Sequence, residues 1–328
     1  MLHYRTQGYN GYAVKYSPFF DNRLAVASSA NFGLVGNGRL FILELTPNGI
    51  VPAKWFTTQD SLYDLAWSEA NEHQVLTASG DGSIKLFDCT LNDFPIQNWK
   101  EHNREVFSVS WNLVAKDTFC SSSWDGTVRI WSPQRPHSLV TLPTHSCTYS
   151  AAFSPHSPDI LSCVSSDSYL RLYDLRTPAS ASNHLTLQIP IHAAPYRPSV
   201  VAVAGVDRTI RTFDIRAPQQ GPQAVMIGHD YAIRRVAWSP HLSNVLLSAS
   251  YDMTCRAWSD QSPAGVVGDT DLMRSGPTPI MGAELGRMNQ HSEFATGVDW
   301  CLFGSEGWCA SVGWDESVYV WDVRAVMG

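Results

Sequence analysis

An aspartate followed six residues later by an aromatic residue that closes a short apolar run occurs six times in this 328-residue chain. The pairs are Asp81/Phe87, Asp125/Trp131, Asp167/Tyr173, Asp207/Phe213, Asp252/Trp258 and Asp315/Trp321, with aspartate spacings of 44, 42, 40, 45 and 63 residues. A period near 40–45 residues with four short strands per unit is the signature of a WD-repeat β-propeller. The sequence therefore predicts an all-β ring, and propellers mostly bind other proteins.

A seventh unit lies at the N-terminus, where Tyr12–Leu43 holds three apolar stretches in register with the repeat. Leu43 comes 44 residues before Phe87. After Trp321 too few residues remain for an outer strand in the last blade, so the N-terminal segment Leu2–Thr6 is predicted to supply it. That pairing would close the ring and remove its exposed edge. The prediction is a seven-bladed propeller closed by its N-terminal strand.

Two units contain a set of His, Ser, Asp and Trp that is similar to the buried hydrogen-bonded network of WD-repeat proteins. The predicted sets are His102, Ser123, Asp125 and Trp131 in one unit, and His229, Ser250, Asp252 and Trp258 in another. A buried carboxylate needs such partners. A catalytic triad is needed only once, whereas these residues recur with the blades. We therefore predict a structural role, no catalytic residue, and no cofactor or metal site, since no ligand spacing supports one.

Composition narrows the class of partner. The net charge of −7 argues against nucleic acid, which requires clustered Lys and Arg, and fits a basic peptide or protein. Seven scattered cysteines without a C-x-x-C pair indicate reduced thiols of a cytosolic or nuclear protein. The N-terminus has no apolar signal core, and no apolar run reaches 18 residues, so membrane insertion is not expected.

Two segments depart from the period. Ser259–Gln290 is rich in Gly and Pro and is predicted to be a mobile loop inserted in a single propeller domain spanning residues 1–328. In the fifth unit, His192 precedes Asp207 by only 15 residues, about one strand too few. We expect a deleted or unrecorded segment near Pro195.

Partners of propellers usually dock where the loops that enter the inner strands meet the turns between the second and third strands. Three of these turns carry a large aromatic residue directly before the aspartate, namely Trp124, Tyr251 and Trp314. Aromatic anchors with neighbouring acids suit a peptide that presents both apolar and basic side chains.

One stretch is more specific than the repeat. Tyr12-Ala-Val-Lys-Tyr-Ser-Pro-Phe-Phe-Asp-Asn-Arg-Leu-Ala-Val-Ala-Ser-Ser-Ala-Asn-Phe-Gly-Leu-Val-Gly-Asn-Gly-Arg-Leu-Phe-Ile-Leu43 closely resembles the first blade of the peroxin-7 family. The likeness continues through Tyr63–Trp67, Ser121–Asp125 and Ala204–Arg211 and covers essentially the whole chain. Proteins of that family are receptors for the type-2 peroxisomal targeting signal. The shortened fifth unit and the long insert depart from the family pattern.

The resemblance implies a binding mechanism without covalent chemistry. The family's signal is an N-terminal nonapeptide with Arg and an aliphatic residue at its start and His or Gln and a small apolar residue at its end. Those pairs are seven residues apart and share one face of a helix. The acids expected to read the basic residues are Asp60, Glu105 and Glu293, and the apolar floor is expected from Leu62, Trp124, Tyr149, Tyr231, Tyr251 and Trp314.

The resemblance also implies partners and a location. It implies cargo such as thiolase, a peroxin co-receptor that helps to clamp the signal helix, and the peroxisomal docking machinery. The chain would then act in the cytoplasm and at the peroxisome.

A competing hypothesis is the substrate receptor of a cullin-RING ubiquitin ligase, or another WD-repeat scaffold such as a histone-binding propeller. Tyr173-Asp-Leu-Arg176, Phe213-Asp-Ile-Arg216 and Trp321-Asp-Val-Arg324 fit the aromatic-Asp-x-Arg box of such ligase receptors, although ordinary third strands also produce it. Proteins recovered from an extract would separate the two hypotheses. An enzyme is disfavoured because no acid/base pair or nucleophile stands outside the structural repeat.

Overall fold

The computed structural model describes residues 1–34, 36–91, 94–177, 184–188, 200–216, 220–261, 279–304 and 306–327. For residues 184–188 it describes the backbone alone. This part of the chain forms seven four-stranded sheets and contains no α-helix. Two short 3-10 segments, Ala30–Gly33 and Val323–Ala325, lie between strands and after the last strand. The predicted all-β, seven-bladed propeller is confirmed.

Each blade is a sheet of four strands that lie side by side, and neighbouring strands are named in that order. The first three blades consist of β2 (Asn10–Tyr16), β3 (Arg23–Ser29), β4 (Gly38–Thr46) and β5 (Gly49–Thr58); β6 (Leu62–Trp67), β7 (Gln74–Ser79), β8 (Ile84–Asp88) and β9 (Gln97–Trp99); and β10 (Val106–Trp111), β11 (Phe119–Ser123), β12 (Thr127–Trp131) and β13 (Val140–Pro143). The next three consist of β14 (Thr148–Phe153), β15 (Ile160–Ser165), β16 (Tyr169–Asp174) and β17 (His184–Gln188); β18 (Val200–Ala204), β19 (Thr209–Asp214), β20 (Ala224–Ile227) and β24 (Ile280–Met281); and β21 (Ile233–Trp238), β22 (Val245–Ser250), β23 (Cys255–Ser259) and β25 (Ala283–Met288). The seventh consists of β26 (Ala295–Trp300), β27 (Trp308–Gly313), β28 (Ser317–Asp322) and β1 (Leu2–Arg5).

The N-terminal strand closes the ring. β1 pairs antiparallel with β28, with Leu2 opposite Val320 and Arg5 opposite Ser317. The Thr6 N–H extends the ladder by donating to the carbonyl of Glu316 at 2.9 Å. The pairing confirms the closure predicted from the sequence, and it covers an edge of β28 that would otherwise expose unpaired backbone groups.

Closure by β1 should be measurable as stability. Leu2 and Tyr4 point towards the core between the seventh and first blades, whereas His3 and Arg5 are exposed. Because both inward side chains are half-buried, Leu2→Ala combined with Tyr4→Ala is expected to lower the free energy of unfolding by about 2 kcal/mol. Urea denaturation measures the loss, with Arg5→Ala as the control. An unchanged midpoint for the double variant would show that β1 does not hold the ring.

The core is divided among the junctions between blades. The described residues form seven buried clusters, and each contains side chains from two neighbouring blades. Between the second and third blades, for example, Trp99, Phe119 and Trp131 are fully buried against one another. Burial of this apolar surface stabilises the ring as one body and gives the loops at its ends a rigid base.

The fifth and sixth blades differ from the expectation. The predicted loop at 259–290 is wrong at both ends, because Ser259 ends β23 and residues 280–288 contribute to β24 and β25. Ala283–Met288 shows no clear alternation and is a strand because it pairs with β23, which outweighs its weak propensity. Residues 262–278 lie outside the described part of the chain. So does the region around Pro195, where a missing segment was predicted.

Candidate functional site

A repeated backbone hydrogen bond gathers the loops at one end of the ring. In five blades the N–H of the residue before the turn aspartate donates to the carbonyl of a residue that enters the inner strand. These bonds are Gly80 to Ser61 (2.9 Å), Trp124 to Glu105 (3.1 Å), Ser166 to Cys147 (2.9 Å), Tyr251 to Ala232 (3.0 Å) and Trp314 to Phe294 (2.9 Å). The entering loops and the turns therefore form one surface, which we call the turn face.

Six inner strands have a β-bulge near the turn face, namely β2, β6, β10, β14, β21 and β26. The bulged residues are Tyr12, Tyr63, Phe107, Tyr149, Arg234 and Thr296. A bulge adds one unpaired residue and re-aims its side chain. Four of these side chains are aromatic, and they touch from blade to blade. The ring centroids are 5.3 Å apart for Tyr12 and Tyr63 and 5.2 Å apart for Tyr63 and Phe107.

The turn aromatics extend these contacts into a continuous chain of rings. Trp124 stacks on Phe107 with centroids 5.2 Å apart, and Trp314 lies 5.7 Å from Tyr12 and 5.2 Å from Phe294. Such distances are typical of favourable aromatic pairs. We call the eight rings the aromatic belt: Tyr12, Tyr63, Phe107, Trp124, Tyr149, Tyr251, Phe294 and Trp314. Proteins often use such rigid aromatic groups as binding anchors.

The predicted apolar floor falls into three groups. Trp124, Tyr149, Tyr251 and Trp314 are members of the belt. Tyr231 is on the same loop face but stands 64% exposed. The assignment of Leu62 to the floor is wrong, because Leu62 is fully buried in the core between the first and second blades. The bulge explains the error, since it lies between Leu62 and Asp64 and gives the belt position to Tyr63.

The predicted acids lie at the edge of the belt. Burial raises the pKa of the Tyr63 phenol, and the nearby carboxylates of Asp60 and Glu105 raise it further, so both acids act on the same ring. Glu105 also pairs with the largely exposed Arg104 at 3.5 Å. Glu293 is exposed and directly precedes Phe294, which places it beside another part of the belt. We call Asp60, Glu105 and Glu293 the acidic rim.

Apart from Tyr149, the sequence analysis missed the bulge residues, although a signal for them exists. Each lies four positions before the aromatic residue that ends its inner strand, as Tyr63 precedes Trp67 and Phe107 precedes Trp111. If the repeat units are aligned on these strand ends, the bulge residues share one position. Arg234, four residues before Trp238, occupies the same position.

In the first blade a Gly-rich loop replaces the aspartate turn and folds onto the belt. Asn31 and Phe32 adopt positive φ angles of 51° and 56°. The carbonyl of Phe32 accepts a hydrogen bond from the Tyr12 hydroxyl at 2.9 Å. The centroid of the Phe32 ring lies 5.5 Å from that of Trp314. This loop therefore supports the belt where the last and first blades meet.

The predicted buried networks are present with a different serine. His102 Nδ1 lies 2.8 Å from Asp125 Oδ2, and its Nε2 lies 2.7 Å from the hydroxyl of Ser121. The Trp131 indole donates to the same hydroxyl at 2.8 Å. Since the indole can only donate, the Ser121 hydroxyl donates to Nε2, and Nδ1 carries the proton towards the carboxylate.

Ser123 was therefore a wrong assignment, and so was Ser250. Both stand two residues further along their strands, where the strand meets the turn. Ser123 instead donates to the carbonyl of Arg104, and Ser250 donates to that of Ala232. Ser248 takes the network position beside His229 and Trp258. In the seventh blade a further complete network joins His291, Asp315, Ser311 and Trp321.

The two serines of the third blade give a test of this register. Ser121→Ala removes the hydroxyl that joins two buried rings, so His102 Nε2 and the Trp131 indole both lose this partner. We expect it to lower the free energy of unfolding by about 1–3 kcal/mol. Ser123→Ala is the matched control, and it should cost less because its partners lie near solvent at the turn. Thermal or urea unfolding measures both, and a larger loss for Ser123→Ala would contradict the assignment.

The remaining turn aspartates are neutralised by a basic residue four positions later. Asp81 pairs with Lys85 at 3.2 Å, and Asp167 and Asp207 pair with Arg171 and Arg211. Each turn carboxylate thus has its own structural partner, which is not the pattern of a single catalytic centre. Among the residues that the structure describes, no three His, Cys, Asp or Glu side chains could hold a metal ion together. The described residues also include no helix long and apolar enough to span a membrane.

In each of the three aromatic-Asp-x-Arg boxes, the arginine is bound by the aspartate of the same box. In each, the arginine Nε donates to the aspartate two residues earlier, at 2.9 Å for Arg176 and Asp174 and 3.0 Å for Arg216 and Asp214. The Arg324 guanidinium binds Asp322 in the same way. These arginines are mostly exposed, but each guanidinium group already forms an ion pair with an aspartate of its own blade.

The end of the channel opposite the turn face contains a cavity of about 450 Å³. Its lining includes Lys15 and Asp299, which pair at 2.8 Å, and Asp64 and Arg235, which pair at 2.6 Å. Because these charges satisfy one another, the cavity offers an incoming ligand less than the turn face does.

Comparison with known proteins first defines the class. The WD domain, G-beta repeat (WD40), matches residues 52–88, 94–132, 136–174 and 220–259, in agreement with the propeller and its buried networks.

The full-length relatives define the family. The chain is 44% identical to the "Peroxisomal targeting signal 2 receptor" of Saccharomyces cerevisiae, over 98% of this chain and 99% of the relative. It is 38% identical to the mouse protein of the same name, over 97% and 95%, and 40% identical to "Peroxisome biogenesis protein 7" of Arabidopsis thaliana, over 95% of each. The chain belongs to the family of peroxisomal targeting signal 2 receptors, as its resemblance to peroxin-7 indicated.

Proposed function

We propose that this chain is an import receptor that binds the type-2 targeting signal of peroxisomal matrix proteins as a helix lying across the turn face. Family membership supports the kind of ligand. The observation on this chain that carries the proposal is the aromatic belt with Asp60 and Glu105 beside one of its rings. Apolar rings bordered by acids are complementary to a helix face that is apolar in the middle and basic at its ends.

The dimensions of such a helix suit this surface. Two positions seven residues apart lie about 10 Å apart along a helix axis and on nearly the same face. Charge-assisted hydrogen bonds from the signal's Arg to Asp60 or Glu105 would fix one end. The belt would pack against the aliphatic side chains between the ends, and Glu293 would face a basic residue at the other end. The binding needs no bond to be made or broken, so the proposed role is non-enzymatic.

The finer assignments follow from the same proposal. Cargo such as thiolase would be captured in the cytoplasm by the single propeller domain of residues 1–328. A peroxin co-receptor would cover the side of the signal helix that the belt leaves exposed. The complex would then pass to the docking machinery at the peroxisome.

Affinity purification from an extract tests the function. The chain should recover matrix enzymes that carry the type-2 signal, together with a peroxin, and Trp314→Ala should recover much less of both. That variant removes a belt ring without touching a buried network. Recovery of ubiquitin-ligase adaptors instead, or equal recovery of cargo by both forms, would contradict the proposal. The closed aromatic-Asp-x-Arg boxes give no support to the ligase alternative.

A further inference from the structure

Among the described residues, one arginine lies in the middle of the aromatic belt. Arg234 is the bulged residue of β21 in the sixth blade, and its guanidinium carbon lies 4.6 Å from the ring centroid of Phe107 in the third blade. These blades are on opposite sides of the ring, so the side chain spans the channel mouth. Arg234 also interacts electrostatically with Tyr12 and Tyr251, two other rings of the belt. It is only 9% exposed.

The neighbouring arginine on the same strand shows what Arg234 lacks. Arg235 also reaches across the channel, but its Nη2 donates to Asp64 at 2.6 Å. Arg234 Nη2 is buried and has no hydrogen-bond partner among the residues that the structure describes. Burial lowers the pKa of Arg234, and the positive charge of Arg235 lowers it further. Buried donors are nearly always paired, so a buried, unpaired guanidinium N–H indicates a place where an acceptor arrives from outside.

We propose that Arg234 is a specificity-determining residue of the turn face, which binds an oxygen acceptor of the ligand's central segment and excludes basic side chains from the middle of the belt. The inference rests on the proposed function, because it assumes that a helical signal lies over the belt. It goes beyond that function by assigning a requirement to the signal's middle residues, between its two basic ends.

The charge distribution supports this role. The acidic rim lies at the edge of the belt, while the centre holds a cation that stacking on Phe107 keeps in place. A lysine or arginine in the middle of the ligand would meet this cation at short range in a desolvated site, where like charges repel strongly. Basic residues are therefore directed to the rim. Such repulsion discriminates between ligands as effectively as a new attraction does.

The oxygen can come from two parts of the ligand. It is either a carboxylate or amide side chain on the face that meets the belt, or a main-chain carbonyl of the helix that uses its second lone pair. The two sources share one chemistry, and a peptide series separates them. The informative position lies four residues after the signal's first Arg, because it falls on the same face between the two ends.

The experiment measures the affinity of synthetic type-2 signal peptides with Glu, Gln, Ala or Lys at that position. The proteins are the unaltered chain, Arg234→Met and the control Arg208→Met, which removes an exposed arginine from another turn of the same face. The unaltered chain is expected to bind the Glu peptide at least about tenfold more tightly than the Lys peptide. Arg234→Met should reduce that ratio to within about threefold, and Arg208→Met should preserve it.

The pattern of losses identifies the acceptor. If Arg234→Met weakens only the Glu and Gln peptides, the oxygen is in a side chain; if it weakens the Ala peptide equally, the oxygen is a main-chain carbonyl. Equal affinities for Glu and Lys peptides in the unaltered chain, or a ratio that survives Arg234→Met, would overturn the inference and leave the proposed function intact. Failure of every peptide to bind the unaltered chain would overturn both. If Arg234→Met does not fold, Arg234→Gln provides the same test, because it removes the charge and keeps an N–H donor.

Discussion

Asp252→Ala is expected to lower the free energy of unfolding by about 3–5 kcal/mol, the largest loss from any single turn aspartate. The Asp252 carboxylate lies 2.7 Å from His229 Nδ1 and 3.1 Å from Arg256 Nη2. Both partners are almost completely buried. The substitution leaves Nδ1 of the imidazole unpaired, and among the described residues it leaves Arg256 with Glu284 as its only acid. Removing one partner of a buried pair is costly because the other charge stays buried.

Asp125→Ala is the natural comparison. Asp125 has the same bond to a buried histidine but no ion pair with an arginine within the described part of the chain, so we expect a smaller loss of about 1–3 kcal/mol. Urea unfolding of both variants, followed by tryptophan fluorescence, measures the difference. Equal losses would show that Arg256 adds nothing to the network, and unchanged unfolding of both would contradict the buried networks themselves.

The same aspartates predict how stability responds to acid. Burial raises the pKa of Asp125 and of Asp252. Hydrogen bonds and electrostatic attraction from His102 and His229, together with hydrogen bonds from neighbouring Thr hydroxyls and backbone N–H groups, outweigh burial and hold both pKa values well below the usual range. A depressed carboxyl pKa stabilises the folded state above the unfolded pKa of about 4, and this contribution is lost as the pH falls towards the folded pKa. The networks should therefore weaken only below about pH 4. The acid-induced loss should be smaller in Asp252→Ala than in the unaltered chain.

The second large effect is expected in binding. Asp60→Asn and Glu105→Gln should each weaken the affinity for a type-2 signal peptide by about 1.5–3 kcal/mol, without altering the fold. Each substitution keeps the shape of the side chain and removes the charge that would accept a hydrogen bond from the signal's Arg. Asp60 and Glu105 both lie near Tyr63 and would accept hydrogen bonds from the same Arg, so the double variant should lose less than the sum of the single losses.

Matched controls lie at the other end of the same blades. Glu72→Gln and Asp117→Asn make the same changes of charge on exposed loops between first and second strands, far from the belt. They test whether the loss of any acid weakens binding through the net charge of the protein. Affinities within twofold of the unaltered chain for both rim variants would contradict this site assignment, while the receptor proposal itself would survive.

The fold followed from the sequence because its signals are local and repeated. The turn aspartates, the aromatic strand ends and the β-branched third strands recur with one period, so each unit supports the interpretation of the next. Even ring closure by Leu2–Thr6 could be predicted, since the last blade lacked a strand and the N-terminus had one to spare. Ala283–Met288 was missed because its strand forms by pairing rather than by pattern.

The site was less predictable because it depends on register and on contacts across the ring. A bulge shifts by one residue which side chain faces the channel, and the choice between Leu62 and Tyr63 turned on that shift. Ser121 and Ser123 are two residues apart in β11 and therefore lie on the same face of the strand, so spacing alone could not choose between them. The contact of Arg234 with Phe107 joins residues 127 positions apart in the chain, which no single repeat unit encodes.

Titration of the purified chain with a fluorescent type-2 signal peptide, followed by anisotropy with and without a candidate co-receptor peroxin, tests the central claim most directly. The control peptide has the same composition, with its first Arg moved to the opposite face of the helix. The account predicts saturable binding of the signal peptide, competition by unlabelled peptide, and at least about tenfold weaker binding of the control. Equal affinity for the two peptides, or no saturable binding of either even with the co-receptor, would contradict it.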